Sequence, residues 1–173
     1  MKFNSQICTS REQSERLLSL GLKRETADMV IFRRSKNADW EISPYSYNEW
    51  QTEIMFCTFY DKGDIIPAWS LGRLIEMLPS PIKLQEDLPT FHPYAYLELS
   101  QVAVSYTWED YDGGDRQLVG FYGNGLFAAV VDAIEWLIKE GYFNKEYLVN
   151  QAEIEEHCKG VLEYLDYIRG EEE

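Results

Sequence analysis

VAVSYTWEDYDGGDRQLVGFYGNGLFAAVVDAIEWLIKEG, residues 102–141, carries two periodicities in one unbroken run. In its first part Val102, Val104, Tyr106 and Trp108 alternate with smaller or polar residues. That period of two places successive side chains on opposite faces of a strand. A second β-prone run, Gln117-Leu118-Val119-Gly120-Phe121-Tyr122, follows beyond Gly113-Gly114. Two such runs about a Gly-Gly centre predict an antiparallel hairpin. From Leu126 the period changes: Leu126, Phe127, Val130, Ala133, Ile134, Leu137 and Ile138 recur at helical spacing. Asp132, Glu135, Lys139 and Glu140 lie mostly on the other side, and Gly141 ends the segment. A hairpin at about 96–122 packed against a helix at about 125–140 makes this an α+β chain with an antiparallel sheet.

Working outward, Leu97 and Leu99 alternate on the opposite parity to Val102 and Val104. A strand cannot absorb that slip, which predicts a bulge or a break near Gln101. Prolines at 79, 81, 89 and 93 make residues 79–94 a connection with little regular structure. Before it, Leu71, Leu74, Ile75 and Leu78 mark a helix over 70–78, with Ser70 as cap, Trp69 placed to staple onto Leu74, and Pro79 as the stop. Ser10 and Gln13 form a capping-box pattern and Gly21 a terminator, predicting a helix over 11–20. Met29-Val30-Ile31-Phe32 is a short strand that runs into the basic loop Arg33-Arg34-Ser35-Lys36-Asn37. Residues 38–66 follow neither period cleanly; a short helix near 47–56 is the expectation there. At the far end Ile154, Cys158, Val161, Leu162, Leu165 and Ile168 form one stripe, with Asn150 and Glu153 as a capping box. They predict a helix over about 152–168 and a frayed acidic tail at 170–173. With no internal repeat, no Gly/Ser-rich linker and 173 residues, one domain spanning 1–173 is expected.

Charge is distributed unevenly. Residues 1–40 carry a net +3 and residues 41–173 a net −17, giving −14 for the whole chain. Such a body repels phosphate backbones and anionic lipid heads and attracts basic partners over roughly a Debye length, ~8 Å at physiological salt. Direct nucleic-acid binding is therefore disfavoured, although carboxylates arrayed on a surface can also imitate DNA phosphates. The amino terminus lacks a signal-like apolar run, and the longest apolar stretch, Leu126 to Val131, is far shorter than the ~20 residues of a membrane span. Cys8, Cys57 and Cys158 are odd in number and widely spaced, which suits free thiols in a reducing cytoplasm.

Several constellations invite a chemical reading, and each has a structural alternative. Gly123-Asn124-Gly125-Leu126-Phe127-Ala128 satisfies the letter of Gly-x-Gly-x-x-Ala, whose amides suit a pyrophosphate at a helix N-terminus. A dinucleotide fold needs a parallel strand after the helix, whereas a turn and another helix are expected here. The acidic loop Glu109 to Asp115 fails the EF-hand pattern, having Asp115 where glycine is needed and Phe121 where a bidentate glutamate is needed. Two histidines, His92 and His157, cannot build a multi-histidine metal centre. Cys8 precedes a helix and would need a base beside it to act as a nucleophile. The first helix, its turn and residues 22–28 have a helix-turn-helix outline, but a second helix would collide with the β-prone Met29–Phe32. No cofactor and no metal site is expected.

The segments Glu12 to Lys23 and Ile66 to Pro79, together with Leu126 to Gly141 around Asp132 and Trp136, resemble a family of small conserved hypothetical proteins of gut bacteria and their prophages or mobile elements. The resemblance implies a bacterial cytoplasm and an accessory role, and assigns no catalytic residue. Aromatic residues make up 14% of the chain, which suits a contact surface as well as a core. The leading expectation is a non-enzymatic acidic protein that binds another protein, a basic one, with Trp40, Tyr45, Tyr47 and Trp50 as the candidate patch. The competing expectations are a nucleotide or small-ligand enzyme using Gly123, Asn124 and Gly125, and a DNA mimic that occupies a DNA-binding protein.

Overall fold

The computed structural model describes residues 6–34, 37–49, 65–84, 90 and 92–150. Within them the chain is α+β, with helices packed on two antiparallel sheets. Helix α1, Arg11–Ser19, starts on the capping box: Gln13 N donates to the Ser10 hydroxyl, and Ser10 N donates to the Gln13 amide oxygen. It ends in a Schellman turn, in which Gly21 N donates to the Leu18 carbonyl and Leu22 N to the Leu17 carbonyl. Gly21 has φ +89°, a left-handed conformation that costs a glycine little. Leu17 and Leu22, the apolar pair that closes this motif, are both fully buried.

A three-stranded sheet follows, with β1 (Met29–Phe32) in the centre, β2 (Glu41–Ser43) on one side and β3 (Ile65–Ala68) on the other. Pro67 pairs with Val30 in β3, an edge strand where a missing N–H is tolerated. Val30 and Phe32 face the main core, whereas Ile31 joins Cys8 and Ala68 in a small second cluster on the other face. The strand at Met29–Phe32 removes the helix-turn-helix outline, since only a 3-10 turn at Arg24–Thr26 lies between α1 and β1. Ser46 and Glu49 form a further capping box, and residues 47–49 are helical. The remainder of the helix expected near 47–56 lies outside the described residues, as does the one expected over 152–168.

Helix α2, Leu71–Glu76, begins on Ser70 as expected but is shorter than 70–78. Beyond it the short β4 (Ile82–Lys83) emerges from the proline-rich connection to pair with β5 (Tyr94–Leu99). Strands β5, β6 (Ala103–Glu109) and β7 (Asp115–Tyr122) then form an up-and-down meander, in the order β4-β5-β6-β7. The parity slip near Gln101 is resolved by reversing the chain: residues 100–102 form a tight turn closed by Ser100 N donating to the Ala103 carbonyl. The sheet does contain a bulge, but it lies in β7, where Leu118 is the extra residue between the pairs Tyr106/Val119 and Thr107/Gln117. The hairpin expected at 96–122 is thus two hairpins that share β6.

Helix α3, Leu126–Lys139, covers the inner face of this sheet with Phe127, Val130, Val131, Ile134 and Leu137, all buried with Val104, Tyr106 and Trp108 in one core. Its polar side is tied to α1. Arg16 donates through Nε to Glu135 at 2.7 Å and through Nη1 to Asp132 at 2.7 Å, and Lys139 also pairs with Glu135. These two cations, Lys139 first, hold the Glu135 carboxyl below its ordinary range.

Two large rings tie the layers together by hydrogen bonds as well as burial. The indole of Trp69, fully buried, donates from Nε1 to the Thr26 hydroxyl at 3.0 Å, and its backbone N donates to the Thr9 hydroxyl. The Tyr106 phenol, pushed upward in pKa by burial, donates to the Pro79 carbonyl at 2.8 Å. Tyr106→Phe keeps the ring and removes that bond, leaving a carbonyl without its partner; a loss of about 1–2 kcal/mol in urea unfolding is expected. An unchanged midpoint would show that the phenol does not tie the connection to the sheet.

Candidate functional site

The turn Gly123-Asn124-Gly125 lies between β7 and α3, as the Gly-x-Gly-x-x-Ala pattern requires, but its glycines have packing reasons. A Cβ on Gly123 would stand 2.9 Å from the Ala128 Cβ and 3.3 Å from the Ala129 N, so glycine lets strand and helix approach closely. Gly125 caps the helix at φ +114°, ψ 163°, a conformation open to glycine and closed to most other residues. The strand before this turn is antiparallel to its neighbour, and α3 ends in a Schellman turn at Gly141 followed by a 3-10 turn at Lys145–Tyr147. The geometry is that of a close strand-to-helix turn.

The thiol of Cys8 is buried, and burial, with Asp28 nearby, pushes its pKa up. It is therefore protonated near neutrality and a poor nucleophile. Asp28 and Ser70 form a close carboxylate–hydroxyl pair, the Asp28 carboxylate accepting from both N and Oγ of Ser70. The Ser70 oxygen in turn accepts from Arg73 N at 3.1 Å, so the pair caps α2 rather than activating a nucleophile. His92 is exposed, and His157 lies outside the described residues. Among the described residues no group of three or more His, Cys, Asp or Glu side chains is arranged to hold a metal ion. No helix among them is long and apolar enough to cross a membrane.

The acidic loop is a hydrogen-bonded hairpin tip. Asp110, 7% exposed, accepts from Asp112 N and Gly114 N through one oxygen and from Arg116 Nε, at 2.6 Å, through the other. These donors, Gly114 first and then Arg116, hold its carboxyl below the ordinary 3.8. The charge of Asp110 is thus used in shaping the turn.

The four aromatics of the expected patch have different surroundings. Tyr47 is buried in the main core. Trp40 is half-buried against the small cluster, its ring stacked by the guanidinium groups of Arg11 at 4.8 Å and Arg33 at 4.9 Å. Tyr45 is exposed, and Trp50 lies outside the described residues.

The exposed tyrosines gather elsewhere, on the outer face of the four-stranded sheet. Register assigns the faces: Val104, Tyr106 and Trp108 point into the core, so Ala103, Ser105, Thr107 and Glu109 point out. Opposite them stand Tyr96, Glu98, Gly120, Tyr122 and Asp115. Tyr96 is 51% exposed and Tyr122 68%, with Tyr94, Leu99 and Val102 exposed beside them. Beside the β5–β6 turn lies an open depression of about 330 Å³ lined by Glu98, Leu99, Ser100, Ala103 and Ser105. The Tyr122 hydroxyl donates to the Gln117 amide oxygen at 3.0 Å, and this pair arches over Gly120, whose missing Cβ leaves room for the Gln117 side chain. The alternation of Tyr96 and Glu98 with Leu97 already carried this signal, because a polar-aromatic face opposite an apolar one marks the solvent side of a strand. No protein-family model matches the chain, and neither does any curated protein or solved structure at a significant level.

Asp110→Asn removes the charge while keeping the shape of the tip. The depressed native pKa stabilises the fold above the ordinary aspartate value, and that contribution is lost as pH falls through the native one. The variant should melt below the wild type at pH 7, and the gap should narrow as pH drops below about 4. A gap independent of pH would remove Asp110 ionisation from the account.

Proposed function

We propose that this protein acts by binding another protein, without catalysis, and that the outer face of β5, β6 and β7 is its binding surface. The observation that carries the reading is the exposure of two rings, Tyr96 and Tyr122, on one outward sheet face that also holds a shallow depression lined by Glu98, Leu99, Ser100, Ala103 and Ser105. Tyrosines bring large apolar area with little rotamer entropy and dominate interface hot spots, whereas a free sheet face is ordinarily covered by charged and polar side chains. The depression is too open to bury a metabolite, since small-molecule sites enclose most of their ligand. The turn at Gly123 to Gly125, the thiol of Cys8 and the Asp28–Ser70 pair each serve packing or capping, so among the described residues none of these candidates supports the enzyme alternative. An accessory role in a bacterial mobile element belongs to the same proposal and is supported only by the resemblance of residues 12–23, 66–79 and 126–141.

The test is a comparison of the wild type with Tyr96→Thr/Tyr122→Thr, which keeps β propensity and removes both rings. Immobilised on a matrix and exposed to a bacterial lysate, the wild type should retain at least one protein that the double variant loses by roughly tenfold or more. The melting temperatures of the two should agree within about 2 °C, because exposed substitutions cost little. Equal retention by both proteins would remove the face from the function. A rise in melting temperature with a nucleotide, metabolite or divalent metal, equal in both proteins, would restore the enzyme alternative.

A further inference from the structure

Charge on the outer face of β5, β6 and β7 is of one sign, and the cation of the whole sheet face among the described residues, Lys83, stands on the edge strand β4 opposite Tyr94. Across β5, β6 and β7 the outward positions hold Glu98, Glu109 and Asp115 and no cation, because Arg116 lies opposite Trp108 on the inner side, where it is bound to Asp110. Among the described residues no cation pairs with Glu98, Glu109 or Asp115. The three carboxylates share the face with the tyrosines: Glu98 is the next outward residue after Tyr96 on β5 and lines the depression, and Glu109 and Asp115 stand at the hairpin end of the same face.

Glu109 and Asp115 are direct cross-strand partners. Like charges placed opposite one another in an antiparallel pair destabilise the sheet. The free protein therefore carries an electrostatic cost at this end of the face, which a cation seated between the two carboxylates would remove. At the other end the depression offers a lysine or arginine stem the apolar sides of Leu99 and Ala103, with the Glu98 carboxylate for its charge. The exposed faces of Tyr96 and Tyr122 attract cations through their ring quadrupoles.

We infer that the occupant of this face is a lysine- or arginine-bearing segment of a protein partner, laid across the sheet from Glu98 to the Glu109–Asp115 pair. The inference rests on the reading of the face as the binding surface and adds the chemistry of what binds there. Charge complementarity selects this occupant: an acidic or phosphorylated segment, a nucleic acid and an anionic lipid surface would all meet three carboxylates against the single outward lysine, Lys83, on the edge strand β4.

The experiment titrates the full chain with a synthetic decapeptide of alternating lysine and serine, and with its glutamate–serine counterpart, at low and moderate salt, following backbone amide NMR shifts. The lysine peptide should shift Tyr96, Glu98, Ser105, Gly120 and Asp115 and weaken with salt, whereas the glutamate peptide should shift none of them. Glu98→Gln and Asp115→Asn should each weaken the lysine peptide by about three- to fivefold. Asp115→Asn should also raise the melting temperature by about 1–3 °C, so that one substitution moves stability and binding in opposite directions. Shifts spread over the whole acidic surface, with both variants binding as the wild type does, would overturn the inference. If lysate partners still depend on Tyr96 and Tyr122 in that case, the face remains the binding surface and only the cationic occupant falls; if they do not, both fall. Dimerisation of the wild type through this face, lost in Tyr96→Thr/Tyr122→Thr, would put a second copy in the partner's place and likewise overturn the inference.

Discussion

The seating of α3 on one side of the β5–β7 meander is the contact on which the remaining structure depends. Phe127, Val130, Ile134 and Leu137 meet Val104, Tyr106 and Trp108, and a sheet whose side chains alternate can offer only every second residue to that contact. Choosing the inner set leaves Tyr96, Glu98, Ser105, Thr107 and Tyr122 outside with no further choice. The proposed binding surface is therefore a consequence of core packing, and any change of register in β6 would exchange core and surface together.

The N-terminal elements are tied to one another through polar groups in buried positions, and to this core through the shared apolar cluster and the Arg16 bonds to Asp132 and Glu135. Trp69 spends its N–H on Thr26 and its backbone N on Thr9, and Thr9 shares a further bond with Ser14 inside α1. Asp28 and Ser70 connect the entry of β1 to the cap of α2. Each of these groups has its partner, so burial costs little and the network fixes the relative placement of α1, β1 and β3. Asp28 and Ser70 look like chemistry when viewed singly, as a carboxylate beside a hydroxyl, and become structural once their bonds are traced.

The strong negative charge of residues 41–173 acquires a direction from the fold. Part of it is consumed internally: Asp110 holds the hairpin tip, and Asp132 and Glu135 hold α1. The remainder includes three carboxylates that share one sheet face with the tyrosines, where the cation among the described residues is Lys83 on the edge strand. Net charge alone cannot separate these uses, because a carboxylate that caps a turn and one that waits for a partner contribute equally to it.

Local pattern was sufficient for the elements that obey one period or carry a terminal signal. Helix α1 with its Ser10/Gln13 box and Gly21, the Ser70 cap, the strand at Met29–Phe32 and the helix from Leu126 to Gly141 are all legible in the residues themselves, since caps and amphipathic stripes are short-range. Strands β2 and β3 were not, because Glu41–Ser43 and Ile65–Ala68 are short, one carries a proline, and both exist by pairing with β1 across a distance in the chain. The parity slip near Gln101 revealed a break but not that the chain reverses there, and the bulge at Leu118 left no local mark. For the same reason the residues themselves left Trp40 and Tyr47 open between core and surface; docking packs both and leaves Tyr96 and Tyr122 on one outer face. Neighbouring residues alone specify the α+β class, the helix start signals at Ser10 and Ser70, the stop at Gly21 and the excess of negative charge. Which aromatic rings are buried, which carboxylates are spent and which face is left open was decided only by tertiary structure, because strand pairing and helix docking bring together residues whose separation in sequence says nothing of their contact.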